Sequence, residues 1–186
     1  MQALKAGGYN IYFRHVATDW SQSDDVREAG DWLSCDPARI RQLSAAGRET
    51  ARALGAAIRA LGIPVGRVLA SPYCRTVETA RLMDLGMVQT TTDVMNLRVA
   101  EYFDGRAAIA QRARERLATA PPAGSNTIVV AHGNVAGLAA GIHLREGEGA
   151  VLKPLGNTDF VHVGSLTPEE WSRLARELGA SPAAPP

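Results

Sequence analysis

Short apolar runs alternate with stretches of helical periodicity along most of the chain. Runs rich in β-branched and aromatic residues predict strands, whereas apolar residues three and four positions apart predict helices. The runs are short and mostly unbroken, which is typical of strands in a sheet that is covered on both faces. The predicted strands cover residues 9–13, 65–70, 94–99, 127–131 and 160–163, and the predicted helices lie within residues 44–61, 75–82, 106–119, 135–141 and 169–178.

This alternation predicts an α/β fold, a three-layer α/β/α sandwich built on a mostly parallel open sheet. A chain of 186 residues with 46% hydrophobic content suits one domain with a sizeable core. We expect that domain to cover residues 1–180, with residues 181–186 as a flexible tail. Residues 19–37 are rich in Asp and Ser, and this composition predicts a long ordered loop.

The charge pattern argues against two classes of partner. The chain has 20 basic and 19 acidic residues, mixed along its length, so no long-range field favours nucleic acid or an anionic membrane. No apolar run approaches the roughly 18 residues of a membrane span, and residues 1–9 lack the apolar stretch of a secretory signal. We therefore expect a cytoplasmic protein, with a periplasmic one as the alternative if the natural chain begins upstream of Met1. No pattern in the sequence indicates an oligomeric state.

The two cysteines, Cys35 and Cys74, are too few for a disulfide scaffold and too far apart for a metal knuckle. The cytoplasmic expectation favours two reduced thiols. The alternative is a disulfide that attaches the loop of residues 19–37 to the segment beside Arg75.

Polar side chains follow three of the predicted strands at the point where each strand ends. Arg14 and His15 follow the first strand, Arg75 lies in the turn after the second, and His132 follows residues 127–131. The carboxyl ends of parallel strands meet at one edge of an open sheet, so these groups should form a small cationic pocket. The guanidinium group of arginine matches phosphate oxygens in a bidentate manner, which predicts a phosphoryl ligand.

Four segments also resemble the motifs of a known family. Residues 12–20 resemble the signature in which Arg-His-Gly follows apolar residues, although Val16 stands in place of the glycine. Residues 42–47 resemble its Leu-Thr/Ser-x-x-Gly segment, residues 71–80 its Ser-x-x-x-Arg-x-x-x-Thr-Ala helix, and residues 129–133 its second histidine turn. The order and spacing of the four motifs resemble the histidine phosphatase superfamily, which is phosphoglycerate-mutase-like, and the short chain resembles its compact phosphatase branch.

The resemblance implies a phosphatase that needs neither a metal nor another cofactor. His15 would attack phosphorus and become transiently phosphorylated, Arg14 and Arg75 would bind the phosphate, and His132 would be a further donor to it. A backbone carbonyl should hold the other ring nitrogen of His15, and neighbouring groups should push the two histidine titrations apart. The substrate would be a phosphorylated small molecule or a phosphoprotein.

The leaving group needs a proton, so a carboxyl group should lie near the phosphate. The resemblance places that group after the third strand, where Glu101 is the first choice and Asp104 the alternative. An ordinary exposed carboxylate is the competing interpretation of Glu101. Asp19 and Glu148 are weaker candidates, because turns rich in acidic residues and glycine are commonly solvated.

Three departures from the motif leave the substrate class and the activity open. Ala17 replaces the usual glutamate, and Ser21 lies near the position of the usual asparagine, so we expect Thr18 and Ser21 to contribute to phosphate or substrate binding. A β-branched Val16 also requires a turn without a positive φ angle. The alternatives to hydrolysis are a phosphoglycerate-mutase-type phosphotransferase and a phosphate-binding module that has lost turnover.

Overall fold

A six-stranded sheet forms the middle layer of the protein in the computed structural model, which describes residues 1–178. Its spatial order is β3-β2-β4-β1-β5-β6. The first four strands in this order run parallel, whereas β5 and β6 are antiparallel to their neighbours. The strands are β1 Asn10–Arg14, β2 Val65–Ala70, β3 Val88–Thr90, β4 Asn126–Ala131, β5 Gly149–Gly156 and β6 Asp159–Leu166.

Helices cover both faces of this sheet, which confirms the predicted three-layer α/β architecture. Alternate residues of β1 divide the core: Ile11 and Phe13 face a cluster that includes Trp171, whereas Tyr12 faces the opposite cluster. Helices α2, α3 and α6 lie on the first face, and α4 and α5 lie on the second. The helices are α1 Gln2–Ala6, α2 Ala45–Ala60, α3 Cys74–Met83, α4 Gly105–Ala118, α5 Gly133–Ala140 and α6 Pro168–Leu178.

The N-terminus of α2 shows why the Leu-Ser-x-x-Gly segment has its sequence. The hydroxyl of Ser44 accepts a hydrogen bond from the Gly47 amide at 3.0 Å, as expected of an N-cap. A Cβ atom on Gly47 would lie 2.1 Å from the carbonyl oxygen of Ala17. The helix can therefore pack directly against the segment that follows β1.

The predicted third strand at residues 94–99 is wrong. That region forms two short 3₁₀ helices, Thr92–Val94 and Leu97–Tyr102, and the strand is the shorter Val88–Thr90. The apolar side chains at 94–99 are buried in the cluster beside α4, so their hydrophobicity reflects packing and not a place in the sheet. Helix α1 and strand β5 were not predicted.

The prediction of two reduced thiols is also wrong, because Cys35 and Cys74 form a disulfide. The bond joins the loop of residues 19–37 to the first residue of α3. This bond is the alternative that the sequence analysis gave, and the two cysteines, 39 positions apart in the chain, become neighbours only in the fold.

The predicted tail at residues 181–186 lies outside the described residues, and the extent of the domain over residues 1–180 stays a prediction. None of the helices within residues 1–178 is long and apolar enough to cross a membrane.

Candidate active site

The carboxyl ends of β1, β2 and β4 lie side by side and open into a cavity of about 370 Å³. The helix that follows β1 and the helix that follows β4 pack on opposite faces of the sheet, which opens a crevice between these two strands. The four residues that were predicted to meet, Arg14, His15, Arg75 and His132, all line this cavity. Trp20, Asp24, Arg41, Asn96, Arg98, Gly133, Asn134, His143 and Leu144 complete its lining.

His15 is held with one ring nitrogen bonded to the backbone. Its Nδ1 lies 3.0 Å from the carbonyl oxygen of Val16, and a carbonyl only accepts, so Nδ1 carries the proton and Nε2 keeps its lone pair. Burial, and secondarily the charge of Arg75, lower the pKa of His15 to about 3. Val16 is buried and does not have a positive φ angle, so the turn accommodates its branched side chain.

His132 is anchored through its backbone and its ring. The hydroxyl of Tyr12 donates to the His132 carbonyl at 2.8 Å and accepts from the His132 amide at 3.1 Å, while Nε2 lies 2.9 Å from Ser71 Oγ. Burial, with a smaller effect of Arg75, lowers the pKa of His132 well below its usual value. The pKa values of both histidines are therefore lowered, because both rings are buried beside the same guanidinium group, and the separation of the two titrations stays a prediction.

The two arginines approach the histidines from different elements. Arg14 ends β1 and donates from one Nη atom to the Leu144 carbonyl at 3.0 Å. A Cβ atom on Gly133 would lie 3.1 Å from Arg14 Cδ, so the glycine of the second histidine turn makes room for this side chain. Arg75 is 2% exposed, and its guanidinium group lies 4.5 Å from the ring centroid of Tyr73.

Several buried polar atoms at this site have no hydrogen-bond partner within residues 1–178. They are Nε of Arg14, Nε of Arg75, Nε of Arg41 and Nδ1 of His132. Buried polar groups in native proteins are nearly always paired, so unpaired ones at a cavity indicate a ligand. An oxyanion can accept from guanidinium N–H groups in the geometry that arginine offers to phosphate. Within the same residues, no group of three or more His, Cys, Asp or Glu side chains could hold a metal ion.

The two other predicted binding residues lie outside the cavity lining. Thr18 is buried and donates to the carboxylate of Glu146 at 2.9 Å. Ser21 is exposed and donates to Asp19 at 2.6 Å. Thr18 therefore contacts Glu146, whose carboxylate lies 3.7 Å from the guanidinium group of Arg14, and not the cavity itself. Ser21 contributes to the local structure of its own loop.

The predicted proton donors also lie outside the cavity lining. Glu101 and Asp104 are exposed, because the 3₁₀ helix Leu97–Tyr102 turns Leu97, Val99 and Ala100 into the core and Glu101 outward. Of the weaker candidates, Asp19 binds Ser21, and the Glu148 carboxylate accepts from the Arg145 amide at 2.8 Å. The position of Glu101 does not support a direct role in proton transfer.

Three charged residues of the cavity were not predicted. Asp24 lies in the loop of residues 19–37, Arg41 directly precedes the Leu-Ser-x-x-Gly segment, and Arg98 lies in the misassigned third strand. The only clue in the sequence was their position beside motif segments. Their convergence depends on the path of the loop, which a linear pattern does not specify.

Comparison with known proteins places this geometry in a family. A sequence profile described as "Histidine phosphatase superfamily (branch 1)" matches residues 11–102, the part of the chain that carries Arg14, His15 and Arg75. The chain belongs to the histidine phosphatase superfamily. No curated protein matches it at a significant level.

Solved structures of histidine phosphatase relatives share the fold. The protein histidine phosphatase SixA, complexed with tungstate, is 13% identical with a TM-score of 0.57 and covers 86% of this chain and 97% of its own. A provisionally assigned alpha-ribazole-5'-P phosphatase from Escherichia coli str. K-12 substr. MG1655 is 17% identical with a TM-score of 0.59, over 83% and 94%. A SixA-type protein from Agrobacterium tumefaciens, provisionally assigned as a phosphohistidine phosphatase, is 13% identical with a TM-score of 0.52, over 86% and 98%. At these identities the likeness shows the phosphoglycerate-mutase-like fold.

Proposed function

We propose that this protein is a phosphatase that hydrolyses phosphomonoesters, or phosphohistidine on a protein, through a covalent phosphohistidine at His15. One observation carries the proposal: the unprotonated Nε2 of a buried histidine shares a cavity with the guanidinium groups of Arg14 and Arg75. Phosphoryl transfer mainly requires that the group be held in line while positive charge is spread over its oxygens. The two guanidinium groups supply that charge, so the proposed reaction needs no metal ion.

The proposed reaction has two steps. Nε2 of His15 attacks phosphorus, an N–P bond forms, the P–O ester bond (or the P–N bond of a phosphohistidine substrate) breaks, and the leaving group takes up a proton from solvent. Water then attacks the phosphohistidine and releases a proton to solvent, the N–P bond breaks, and inorganic phosphate leaves while His15 returns to its neutral form. His132 would donate to the phosphoryl oxygens, and Tyr12 would keep the His132 backbone in place.

The names of two relatives support the substrate class. SixA is described as a protein histidine phosphatase, and the Escherichia coli relative as an alpha-ribazole-5'-P phosphatase. The first name denotes a phosphoprotein and the second a phosphorylated small molecule. Either kind of substrate would present a phosphoryl group to Arg14, Arg75, His15 and His132 of this protein, so both kinds belong in a panel of substrates to be tested.

Turnover of p-nitrophenyl phosphate tests the proposal. We expect release of nitrophenol by the wild type, none by His15→Ala, and unchanged release by His162→Ala, which alters an exposed histidine of β6. During turnover an acid-labile phosphate should appear on His15. Binding of phosphate without release of nitrophenol would contradict the proposal and favour a binding module. A phosphoenzyme that persists and passes its phosphate to a second alcohol would favour a mutase-type phosphotransferase.

The role of Glu101 is tested with the leaving group. A proton donor matters most for poor leaving groups, so its loss should harm an alkyl phosphate far more than p-nitrophenyl phosphate. Because Glu101 is exposed and outside the cavity lining, we expect Glu101→Gln to change both rates by less than about twofold. A selective loss on the alkyl phosphate would restore Glu101 as the donor.

The disulfide bears on where the reaction takes place. Structural disulfides persist in oxidising compartments and are rare in the cytosol. The bond between Cys35 and Cys74 therefore supports an oxidising compartment such as the periplasm over the cytoplasm. Fractionation of cells that express the natural gene, with detection of the protein in each fraction, tests this.

A further inference from the structure

The cavity contains more guanidinium groups than the proposed reaction requires. Besides Arg14 and Arg75, it is lined by Arg41 and Arg98. The guanidinium group of Arg41 lies 3.7 Å from the ring centroid of Trp20, and the residue is 9% exposed. Nε of Arg41 is buried without a partner in residues 1–178. Arg41 is thus held in position beside the reaction centre with an unused donor.

A carboxylate of the protein itself occupies this group of arginines. Asp24 accepts hydrogen bonds from Arg75 at 2.8 Å, from Arg41 at 3.3 Å and from Arg98 at 3.3 Å. Its side chain is 8% exposed, so the contacts with Arg75 and Arg41 are largely shielded from water, whereas the contact with Arg98 is exposed. The three guanidinium groups therefore form an oxyanion site next to the phosphoryl site, and Arg75 belongs to both.

The shared Arg75 creates a competition. A ligand with only a phosphoryl group can take Arg75, but Arg41 and Arg98 would still hold the Asp24 carboxylate close to the new anion. Two anions at a poorly solvated site repel each other. A ligand with a second anionic group can replace Asp24 at all three arginines and so avoid this repulsion.

We propose that the phosphorylated substrate carries a second anionic group, a phosphate or a carboxylate, which binds Arg41 and Arg98 in place of Asp24. The inference rests on the proposed function and specifies its substrate class. The cavity volume of about 370 Å³ equals that of roughly a dozen liquid water molecules, which leaves space beyond one phosphoryl group. Trp20, which is 65% exposed at the cavity, is placed to contact the organic part of such a compound.

Calorimetric binding of two phosphonates tests the inference without turnover, because their C–P bond cannot be hydrolysed by the proposed reaction. Phosphonoacetate carries a carboxylate where phosphonoacetamide carries a neutral amide of similar shape. We expect phosphonoacetate to bind the wild type about tenfold more tightly or better, the effect of one charge-assisted hydrogen bond. Methylenediphosphonate, compared with methylphosphonate, repeats the test with a phosphoryl-type second group, and an advantage in either pair supports the inference.

Variants of the arginines assign the effect. Arg41→Gln and Arg98→Gln should each bring the ratio of the two dissociation constants towards one, because each removes a cation that would bind the second anionic group. Arg52→Gln, at an exposed position on α2 outside the cavity, is the matched control and should keep the wild-type ratio. The side chain of Arg98 is 59% exposed, so Arg98→Gln should disturb folding little. It therefore tests the inference even if Arg41→Gln impairs folding.

Asp24→Asn separates competition from a purely structural role. Removal of the competing charge should tighten binding of phosphonoacetamide, whereas loss of a structural anchor would weaken both phosphonates. Equal affinities in both ligand pairs, or wild-type ratios in Arg41→Gln and Arg98→Gln, would overturn the inference. If the protein hydrolyses p-nitrophenyl phosphate but binds the two ligands of each pair with equal affinity, only this inference is refuted. If phosphonoacetate keeps its advantage over phosphonoacetamide but p-nitrophenyl phosphate is not hydrolysed, only the proposed function is refuted.

Discussion

The hydroxyl of Tyr12 offers a sharp test of how the site is supported. It donates to the His132 carbonyl and accepts from the His132 amide, and the tyrosine is 1% exposed. Burial raises the pKa of Tyr12 above its usual value, so the hydroxyl remains a donor at every pH of interest. Tyr12→Phe removes both bonds without a change in the size of the ring.

The expected cost follows from what is left behind. The His132 carbonyl still accepts from the Ala136 amide at 3.2 Å, but the His132 amide loses its partner in a buried environment. An unsatisfied buried donor costs about 1–3 kcal/mol, so we expect the free energy of unfolding to fall by about 2 kcal/mol. For a chain of 186 residues this corresponds to a Tm about 4–8 °C lower.

Tyr73→Phe is the matched control. Tyr73 is also buried and its ring lies 4.9 Å from the ring of His132, but its hydroxyl makes no hydrogen bond within residues 1–178. Its free energy of unfolding should fall by less than about 0.5 kcal/mol. Urea denaturation of both variants and the wild type, followed by circular dichroism, measures the difference. Equal losses in the two variants would show that the Tyr12 hydroxyl does not stabilise the His132 turn.

Three further predictions concern acid stability, helix packing and the disulfide. The pKa of His15 is about 3 in the folded protein and 6.5 ordinarily, so between these values the unfolded chain binds one more proton than the folded chain. His15 should therefore lower the free energy of unfolding by about 1.4 kcal/mol per pH unit as the pH falls from about 6 to 4, which urea denaturation at each pH measures. Gly47→Ala should lower the free energy of unfolding by about 2 kcal/mol or more, since the new methyl group would overlap the Ala17 carbonyl. Thiol titration of the unfolded protein should find no free thiol before reduction and two after it, from Cys35 and Cys74.

Each of these has a control and a contrary outcome. His15→Asn should have a shallower loss of stability with acid than the wild type, whereas exposed His162→Asn should not differ from it; identical slopes would mean that His15 is not buried in its neutral form. Gly164→Ala, where a Cβ atom would meet nothing within 4 Å, should be tolerated, and equal tolerance of Gly47→Ala would refute the close packing of α2. Two free thiols before reduction would show that the disulfide is absent from the purified protein.

The local sequence pattern was sufficient to predict those helices and strands that depend mainly on interactions between neighbouring residues. The strand at residues 65–70 and the Ser44 N-cap were predicted from apolar periodicity and capping chemistry, which depend on neighbouring residues. Strand β5 was missed because it includes Gly149, Pro154 and Gly156, residues that ordinarily indicate turns. Its pairing with β1 and β6 is a tertiary property.

The residues of the candidate site likewise fall into those that local pattern could predict and those that depend on the tertiary fold. Arg14, His15, Arg75 and His132 could be proposed because each follows or begins an element whose position the strand order determines. Asp24 and Arg98 come together across 74 positions of chain, through a loop with little regular structure. The charge of these residues was visible in the sequence, but their convergence was not.

The cross-link between Cys35 and Cys74 makes the loop that carries Asp24 a redox-dependent part of the protein. Closing a loop across 39 positions removes chain entropy worth about 4 kcal/mol from the unfolded state in the simplest treatment. Material prepared in a reducing host, or handled in dithiothreitol, lacks this constraint and differs chemically from oxidised material. Kinetic constants from the two preparations therefore describe different molecules, and thiol status belongs beside every rate measured on this protein.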